Sequence, residues 1–131
     1  MKTGYLIQLS LFVALMCVGQ ILFKKTAIKL SETNTESSRM YNNEVLNLFL
    51  SVIQIPYFFL ALIVYAIATF YWLYILQKIP LSLAYPFTAL AMVIIPIASY
   101  YLFKENINNY YWIGAFFIFL GISIISIKGA S

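Results

Sequence analysis

The chain has 131 residues, of which 63% are apolar and only 9% carry a formal charge. A water-soluble domain of this size cannot bury that much apolar surface in one core, so a soluble globular protein is excluded. The net charge of +4 comes from scattered residues, mostly lysines at the ends of apolar stretches, and this pattern does not indicate a nucleic-acid partner.

Four apolar stretches organise the sequence. They cover residues 5–23, 56–76, 83–103 and 110–127. About 20 residues at 1.5 Å rise cross a hydrocarbon core of about 30 Å, and none of the four stretches holds a formal charge between its ends. The sequence therefore predicts an all-α, multi-pass membrane protein with one four-helix transmembrane domain over residues 1–131.

The first stretch follows Lys2 and ends before the pair Lys24-Lys25. No small-x-small cleavage site follows it, so we expect a retained helix rather than a signal peptide. Residues 24–43 are rich in Ser, Thr, Asn and Glu, which predicts a flexible polar loop. The single cysteine, Cys17, is expected to be a small packing residue. No metal site can be built around it, because the chain has no histidine.

From Glu44 apolar residues return, with Asn47, Ser51 and Gln54 among them at three- and four-residue spacing. This pattern predicts a short helix at the membrane interface before the second span. Pro56 suits the first turn of that span, where its missing N–H costs little.

The second and third spans are joined by residues 77–82, a tight turn that makes them antiparallel neighbours. Pro86 and Pro96 lie inside the third span, and each removes a backbone N–H and so frees a carbonyl. In hydrocarbon a freed carbonyl needs a partner or water. Residues 104–109 form the next loop, and three aromatic residues at 110–112 predict an interfacial belt.

The distribution of charge specifies the membrane orientation only weakly. Lys2, Lys78 and Lys128 share one side. The other side holds five basic residues: Lys24, Lys25, Lys29, Arg39 and Lys104. The positive-inside rule favours a cytoplasmic first loop, but insertion in both orientations stays open.

Three groups of residues are candidates for function. Gln20 and Lys24 lie one helical turn apart near a helix end, where they could hold a phosphate oxygen and a sugar hydroxyl. The alternative is a snorkelling lysine beside a packed glutamine. The aromatic and hydroxyl side chains Tyr65, Thr69, Trp72, Tyr85 and Thr88 could stack on or bond to a sugar. Their alternative role is helix packing.

Gly114 and Gly121 are seven residues apart in the fourth span, and small residues let two helix backbones come close. We expect them to support helix association, within one chain or in a dimer. Glu105 is the only acid near a span end, and we expect it to pair with a lysine or to cap the fourth helix.

No constellation of catalytic residues is present: there is no histidine, no paired carboxylate in the spans and no glycine-rich phosphate loop. The sequence therefore predicts a non-enzyme that needs no cofactor. The first span also lacks the ionisable group that a proton-coupled exporter needs at membrane depth.

In motif order and spacing the chain resembles the small four-helix branch of the drug/metabolite transporter superfamily, which is EamA-like and similar to small multidrug resistance proteins. The likeness is greatest to subunits of the 4-amino-4-deoxy-L-arabinose–phosphoundecaprenol flippase. Three motifs carry it: an ending of the first helix, a turn followed by Ala-Tyr-Pro, and a short acidic loop before Trp-x-Gly and a later glycine. The matching residues are Gly19, Gln20, Lys24, Leu76, Gln77, Pro80, Ala84, Tyr85, Pro86, Glu105, Trp112, Gly114 and Gly121.

The resemblance implies a flippase, or a subunit of one, in the bacterial inner membrane. It would move an undecaprenyl-phosphate monosaccharide outward for cell-envelope modification. It would work among membrane lipids as a homodimer or as a heterodimer with a similar four-helix subunit. One alternative is a multidrug-resistance-like exporter of a metabolite or cationic drug, but Met16 stands where those proteins have their hallmark glutamate. The other is a non-transporting membrane partner of a glycosyltransferase.

Overall fold

The structure is a computed structural model that describes residues 3–36 and 44–128, and the helices are numbered in chain order. They are α1 (Thr3–Glu36), α2 (Glu44–Ile53), α3 (Pro56–Leu76), α4 (Leu81–Phe87), a 3₁₀ turn (Thr88–Leu90), α5 (Ala91–Phe103) and α6 (Asn109–Lys128). No strand occurs in these ranges. Four helical segments are long and apolar enough to cross a membrane, the third being α4, the turn and α5 together. The all-α, four-span prediction is confirmed.

The first helix differs from the prediction, because α1 continues past Phe23 to Glu36. Residues 24–36 of the predicted loop 24–43 are therefore helical, and residues 37–43 lie outside the described residues. Lysine, alanine, leucine and glutamate in this segment favour helix. In addition, the ammonium groups of Lys25 and Lys29 lie 5.8 and 5.6 Å from the ring centroid of Tyr57 on α3. With 34 residues, α1 is about 51 Å long and extends beyond a hydrocarbon core.

Helices α1 and α3 pack antiparallel along their length. The rings of Phe12 and Trp72 stack at 4.5 Å between centroids, and those of Phe23 and Tyr65 at 5.1 Å. Between these two contacts Gly19 faces the Tyr65 ring so closely that a Cβ at Gly19 would lie 2.6 Å from Tyr65 Cε2. The glycine is therefore what allows the two backbones to approach at this level.

The third span contains both of its prolines within helical segments. Pro86 lies inside α4, and the helix gives way to the 3₁₀ turn at Thr88. Pro96 lies inside α5 and cannot donate to the carbonyl of Met92 four residues earlier. The hydroxyl of Tyr111 on α6 donates to that carbonyl. The freed carbonyl thus finds its partner on the neighbouring helix, which holds α6 against α5.

The buried core lies towards the end of the bundle where α3 turns into α4. Its fully buried side chains include Leu9, Ile75, Ile79 and Ala84, and Ile122 of α6 joins the same cluster. Cys17 is buried beside Val13 and Ala91, as a packing residue would be. The predicted short turn between the second and third spans is confirmed, because residues 77–80 join α3 to α4.

The ten-residue helix α2 confirms the helix predicted before the second span, and it packs against α1 and α3. None of its residues is buried, and its apolar side chains Val45 and Phe49 are 75% and 62% exposed. Such an apolar, unburied surface is what an interfacial helix would present to lipid.

Candidate functional site

The candidate site is built around Lys24 of α1, at the level where the first apolar stretch ends and the helix faces the loop between α5 and α6. Its Nζ lies 2.6 Å from Glu105 Oε1, and the two side chains are 45% and 42% exposed. Glu105 therefore pairs with a lysine, which is one of its two predicted roles. The other role, capping of the fourth helix, falls to Asn108, whose Oδ1 accepts a hydrogen bond of 3.2 Å from the Tyr110 N–H.

A reversal of the backbone brings Glu105 to Lys24. Helix α5 ends at Phe103, and the next residue, Lys104, adopts left-handed dihedral angles (φ 53°, ψ 37°). The backbone N–H of Glu105 then donates to the carbonyl of Ser99 at 3.5 Å. A left-handed conformation costs a side-chain-bearing residue about 1 kcal/mol. Lys104 adopts this unfavourable conformation where the chain turns and Glu105 contacts Lys24 of α1.

Beside Glu105 the same reversal leaves a groove of about 350 Å³ between the end of α5 and the start of α6. Ile95, Pro96 and Ile107 provide its apolar wall. Its polar wall is formed by Ser99, Glu105, Asn106, Asn108 and Tyr111. Hydroxyls, amides and one carboxylate around an open space of this size suit a small, hydroxyl-rich ligand group.

The Lys24–Glu105 pair leaves both charges available to a ligand. Nearly half of each side chain is open to its surroundings, and ion pairs of this exposure contribute about 0–1 kcal/mol in water. A phosphate oxygen could replace the carboxylate on Lys24 at little cost. Gln20, one turn earlier on α1, is also exposed. The predicted pairing of Gln20 with Lys24 on one helix face is therefore geometrically possible, with Glu105 as an added competitor.

The predicted stripe on α3 lies elsewhere. Tyr65 contacts Gly19 and Phe23, and Trp72 stacks on Phe12. Along α1, Gly19 and Phe12 are about 8 and 18 Å from Lys24 at 1.5 Å per residue. These rings are thus distributed through the thickness of the bundle and pack against α1. The Tyr65 hydroxyl is buried without a hydrogen-bond partner.

The remaining hydroxyl residues are more open. Thr69 Oγ1 donates to the Tyr65 carbonyl at 2.8 Å, and Thr88 Oγ1 donates to the Tyr85 carbonyl at 2.7 Å. Both hydroxyls bond their own helix, a usual arrangement for threonine within a membrane span. Tyr85 is 65% exposed on α4. The seven predicted substrate-binding residues therefore do not meet in one pocket. Only Lys24 contacts Glu105, and Gln20 lies one helical turn from Lys24.

The two glycines of α6 face away from the rest of the chain. A Cβ built at Gly114 or Gly121 would meet nothing within 4 Å. Ala115 and Ile122, each one residue later, are the buried positions of α6. At 3.6 residues per turn the glycine face is rotated by about 100° from the buried face. Packing within one chain therefore does not explain these glycines, and their face is open to lipid or to a second subunit.

Sequence reasoning missed three features: the close approach of Gly19 to Tyr65, the choice of Tyr111 as partner for the carbonyl that Pro96 frees, and the groove beside Glu105. Pro96 signalled that a donor was needed, but spacing alone could not choose it. Within the described residues, no group of three His, Cys, Asp or Glu side chains could hold a metal ion.

Comparisons with known proteins cover nearly the whole chain. The model of the EamA-like transporter family matches residues 5–127. A probable 4-amino-4-deoxy-L-arabinose-phosphoundecaprenol flippase subunit ArnF from Proteus mirabilis is 34% identical over 130 residues, 98% of this chain and 95% of that protein. Subunit ArnE from the same organism is 26% identical over 114 residues, 87% of this chain and 89% of that protein. ArnE from Pseudomonas fluorescens is 27% identical over 111 residues, 85% of this chain and 87% of that protein. No solved structure matches the chain.

Proposed function

The chain belongs to the EamA-like transporter family, and on this basis we propose that it is a flippase subunit for an undecaprenyl-phosphate-linked monosaccharide. It would carry this lipid from the cytoplasmic to the outer leaflet of the bacterial inner membrane, for modification of a cell-envelope glycan. The observation that carries the proposal is the Lys24–Glu105 pair beside a polar groove, at one end of four apolar stretches that hold no formal charge.

The first step is capture of the phosphate. Lys24 exchanges its contact with Glu105 for a phosphodiester oxygen, and Gln20 bonds a neighbouring oxygen or hydroxyl. An ammonium and an amide one turn apart on the same face of a helix can hold both kinds of oxygen. The polyprenyl tail stays in the bilayer throughout, so only the head group has to cross hydrocarbon.

The second step is passage of the head group along the bundle. Tyr65 and Trp72 lie about 8 and 18 Å from Lys24 in the direction of the opposite end, with Thr69 between them on α3. Tyr85 and Thr88 lie on the third span, near the end of the bundle where α3 turns into α4. The more open residues Thr69, Tyr85 and Thr88 offer successive contacts to a sugar, in place of one deep pocket, while Tyr65 and Trp72 pack α3 against α1.

Transport needs no ion-coupling site for a lipid with a single negative charge. Moving one such charge out of a cell with a negative interior gains about 2.3 kcal/mol per 100 mV. If the sugar carries an amine, the two charges cancel and consumption of the lipid outside drives the movement. The protein then has only to lower the barrier that hydrocarbon presents to the head group.

A dimer completes the path. Four helices cannot enclose a sugar phosphate, and the groove beside Glu105 is open on the surface of one chain. The partner is a second copy or a similar four-helix subunit. The relatives are named as two flippase subunits, ArnE and ArnF, which supports a heterodimer. The open glycine face of α6 is the surface that we assign to this contact.

The test is transport in liposomes. The purified protein, alone and with a similar subunit, is reconstituted with fluorescent polyprenyl-phosphate sugars, and their movement between leaflets is followed. Lys24→Ala and Lys24→Gln should both abolish movement while the protein stays inserted and dimeric. Lys25→Ala is the matched control, because Lys25 contacts Tyr57 rather than Glu105. Normal transport by both Lys24 variants would disprove the assignment. An equal loss in the Lys25 variant would point to general surface charge.

A further inference from the structure

We propose that Lys25, Lys29 and Tyr57, together with the outer side of α2, form a binding site for an anionic phospholipid of the surrounding membrane. The two ammonium groups hold the lipid phosphate, and the apolar side chains of α2 lie against its acyl chains. This lipid is a resident of the site and not a cargo, so the inference does not rest on the proposed function.

The first argument is that one tyrosine ring holds two cations. The Nζ atoms of Lys25 and Lys29 on α1 lie 5.8 and 5.6 Å from the ring centroid of Tyr57, in the first turn of α3. A ring face attracts an ammonium, but each ammonium carries three N–H donors and can bond other acceptors as well. Two like charges beside one ring also repel each other. A phosphate between the two lysines would accept hydrogen bonds from both and offset this repulsion.

The second argument is the level of these lysines in the membrane. The first apolar stretch ends at Phe23, so Lys25 and Lys29 lie about 3 and 9 Å further along α1. Side chains of a helix tilt towards its N-terminus, which here means back towards the hydrocarbon. The headgroup region is about 5–8 Å thick on each side of the bilayer, and it is therefore within reach of both ammonium groups. The first acid of α1, Glu32, is exposed and lies further out.

The third argument is the orientation of α2, whose polar stripe is turned towards the protein. Asn47 and Ser51, one helical turn apart, are partly buried. An amphipathic helix on a water-exposed surface has the opposite arrangement, with its polar face outward. Here six large apolar side chains are 40–75% exposed: Val45, Leu46, Leu48, Phe49, Leu50 and Ile53. The outer side of α2 therefore needs an apolar neighbour.

The charged and the apolar parts of the site adjoin each other. Helix α2 packs against α1 and α3, and its last residue, Ile53, is four residues before Tyr57. The connection is tight, because the N–H of the buried Ile55 donates to the Val52 carbonyl at 3.1 Å. A phospholipid joins a phosphate to acyl chains in the same way. A lipid with a net negative charge fits better than a zwitterionic one, whose own ammonium would face the two lysines.

The charged part is tested by lipid binding. The purified full-length protein is titrated in detergent with phosphatidylglycerol or with phosphatidylcholine of the same acyl chains, and bound lipid is counted by native mass spectrometry. The wild type is compared with two double variants, Lys25→Gln with Lys29→Gln and Lys25→Arg with Lys29→Arg. Lys78→Gln is the matched control, because Lys78 also lies over a tyrosine ring, that of Tyr74, but at the other end of α3.

The wild type should bind phosphatidylglycerol more tightly than phosphatidylcholine. The double glutamine variant should weaken phosphatidylglycerol binding about 25-fold, since each lysine near an anionic lipid surface contributes about 1 kcal/mol and 1.4 kcal/mol is tenfold. The double arginine variant keeps both charges and should keep the preference, as should Lys78→Gln. Equal binding of the two lipids by the wild type, unchanged affinity in the glutamine variant, or an equal loss in the arginine variant would overturn the site.

The apolar part is tested with a spin label at Phe49. Because Cys17 is the only cysteine, a Cys17→Ser background allows Phe49→Cys to be labelled with a nitroxide in liposomes of phosphatidylglycerol and phosphatidylcholine. The label should be reached by oxygen, which dissolves among acyl chains, and not by a water-soluble nickel chelate. A label at Glu32→Cys in the same background is the control and should be reached by the chelate. A Phe49 label reached by the chelate would show water beside α2, and a label reached by neither would show a protein partner. Either result would overturn the lipid site.

Discussion

The close packing of α1 against α3 can be tested at the contact between Gly19 and Tyr65. In Gly19→Ala the new Cβ would lie 2.6, 3.0 and 3.1 Å from Cε2, Cζ and Cδ2 of the Tyr65 ring. Carbon atoms at rest are about 3.5–4.0 Å apart, so the helices must separate by about 1 Å or the ring must turn. The ring cannot turn freely, because it also stacks on Phe23 at 5.1 Å.

The expected size follows from two opposing effects. Overpacking of this kind costs about 1–3 kcal/mol, and replacement of a mid-helix glycine by alanine regains about 1 kcal/mol. We therefore expect Gly19→Ala to lower the free energy of unfolding by about 1 kcal/mol. In a Tyr65→Ala background the obstacle is gone, and Gly19→Ala should stabilise by about 1 kcal/mol. The coupling energy between the two positions is then about 2 kcal/mol.

The assay is reversible unfolding in mixed micelles by titration with SDS, followed by tryptophan fluorescence. Gly4→Ala is the control, because a Cβ there would meet nothing within 4 Å. Tyr65→Phe is a second control, since it keeps the ring and should keep the cost of Gly19→Ala. If Gly19→Ala were as stable as Gly4→Ala, and equally so in the Tyr65→Ala background, the close approach of α1 and α3 would be refuted.

Three further predictions concern the dimer, the energy source and the third span. Gly114→Leu and Gly121→Leu should each reduce the amount of crosslinked dimer in membranes, because a large side chain would occupy the open face of α6. Unchanged crosslinking would place the dimer interface elsewhere. A pH gradient of either sign at clamped voltage should leave the transport rate nearly unchanged, whereas an inside-negative voltage should speed outward transport of a singly charged head group. Acceleration of transport by the pH gradient, lost in Glu105→Gln, would contradict this. Tyr111→Phe should destabilise the protein by about 1 kcal/mol in the same SDS titration, because the Met92 carbonyl loses its hydrogen-bond donor. An unchanged unfolding midpoint would argue against the hydrogen bond between Tyr111 and Met92.

Helical spacing predicts which candidate site residues share a helix face, but it does not predict what that face contacts. Gln20 and Lys24 share a face because the period of the helix places them there. Spacing equally grouped Tyr65, Thr69 and Trp72, but it could not show that Tyr65 and Trp72 pack on Phe23 and Phe12 of α1. A stripe of this kind looks the same in sequence whether it faces a ligand or a neighbouring helix.

The predicted end of the first helix was wrong for a related reason. A change from apolar to polar residues at Lys24 marks the membrane boundary, and it was read as the end of the helix. Helix α1 continues to Glu36 because backbone hydrogen bonds do not require an apolar surface and because Lys25 and Lys29 pack over Tyr57. Composition therefore predicts a membrane boundary at Lys24, but it does not predict where the helix ends.

The sequence by itself determined that this chain spans a membrane four times as helices, because apolar stretches of that length leave the backbone no other way to satisfy its hydrogen bonds in lipid. It also indicated that the carbonyl freed by Pro96 needs a partner or water, and that Glu105 pairs with a lysine or caps the fourth helix. Only the tertiary structure decided that the donor is Tyr111 and the cation is Lys24. These partners are 19 and 81 residues apart in the chain, and pairing over such separations depends on how the helices pack, which no local pattern encodes.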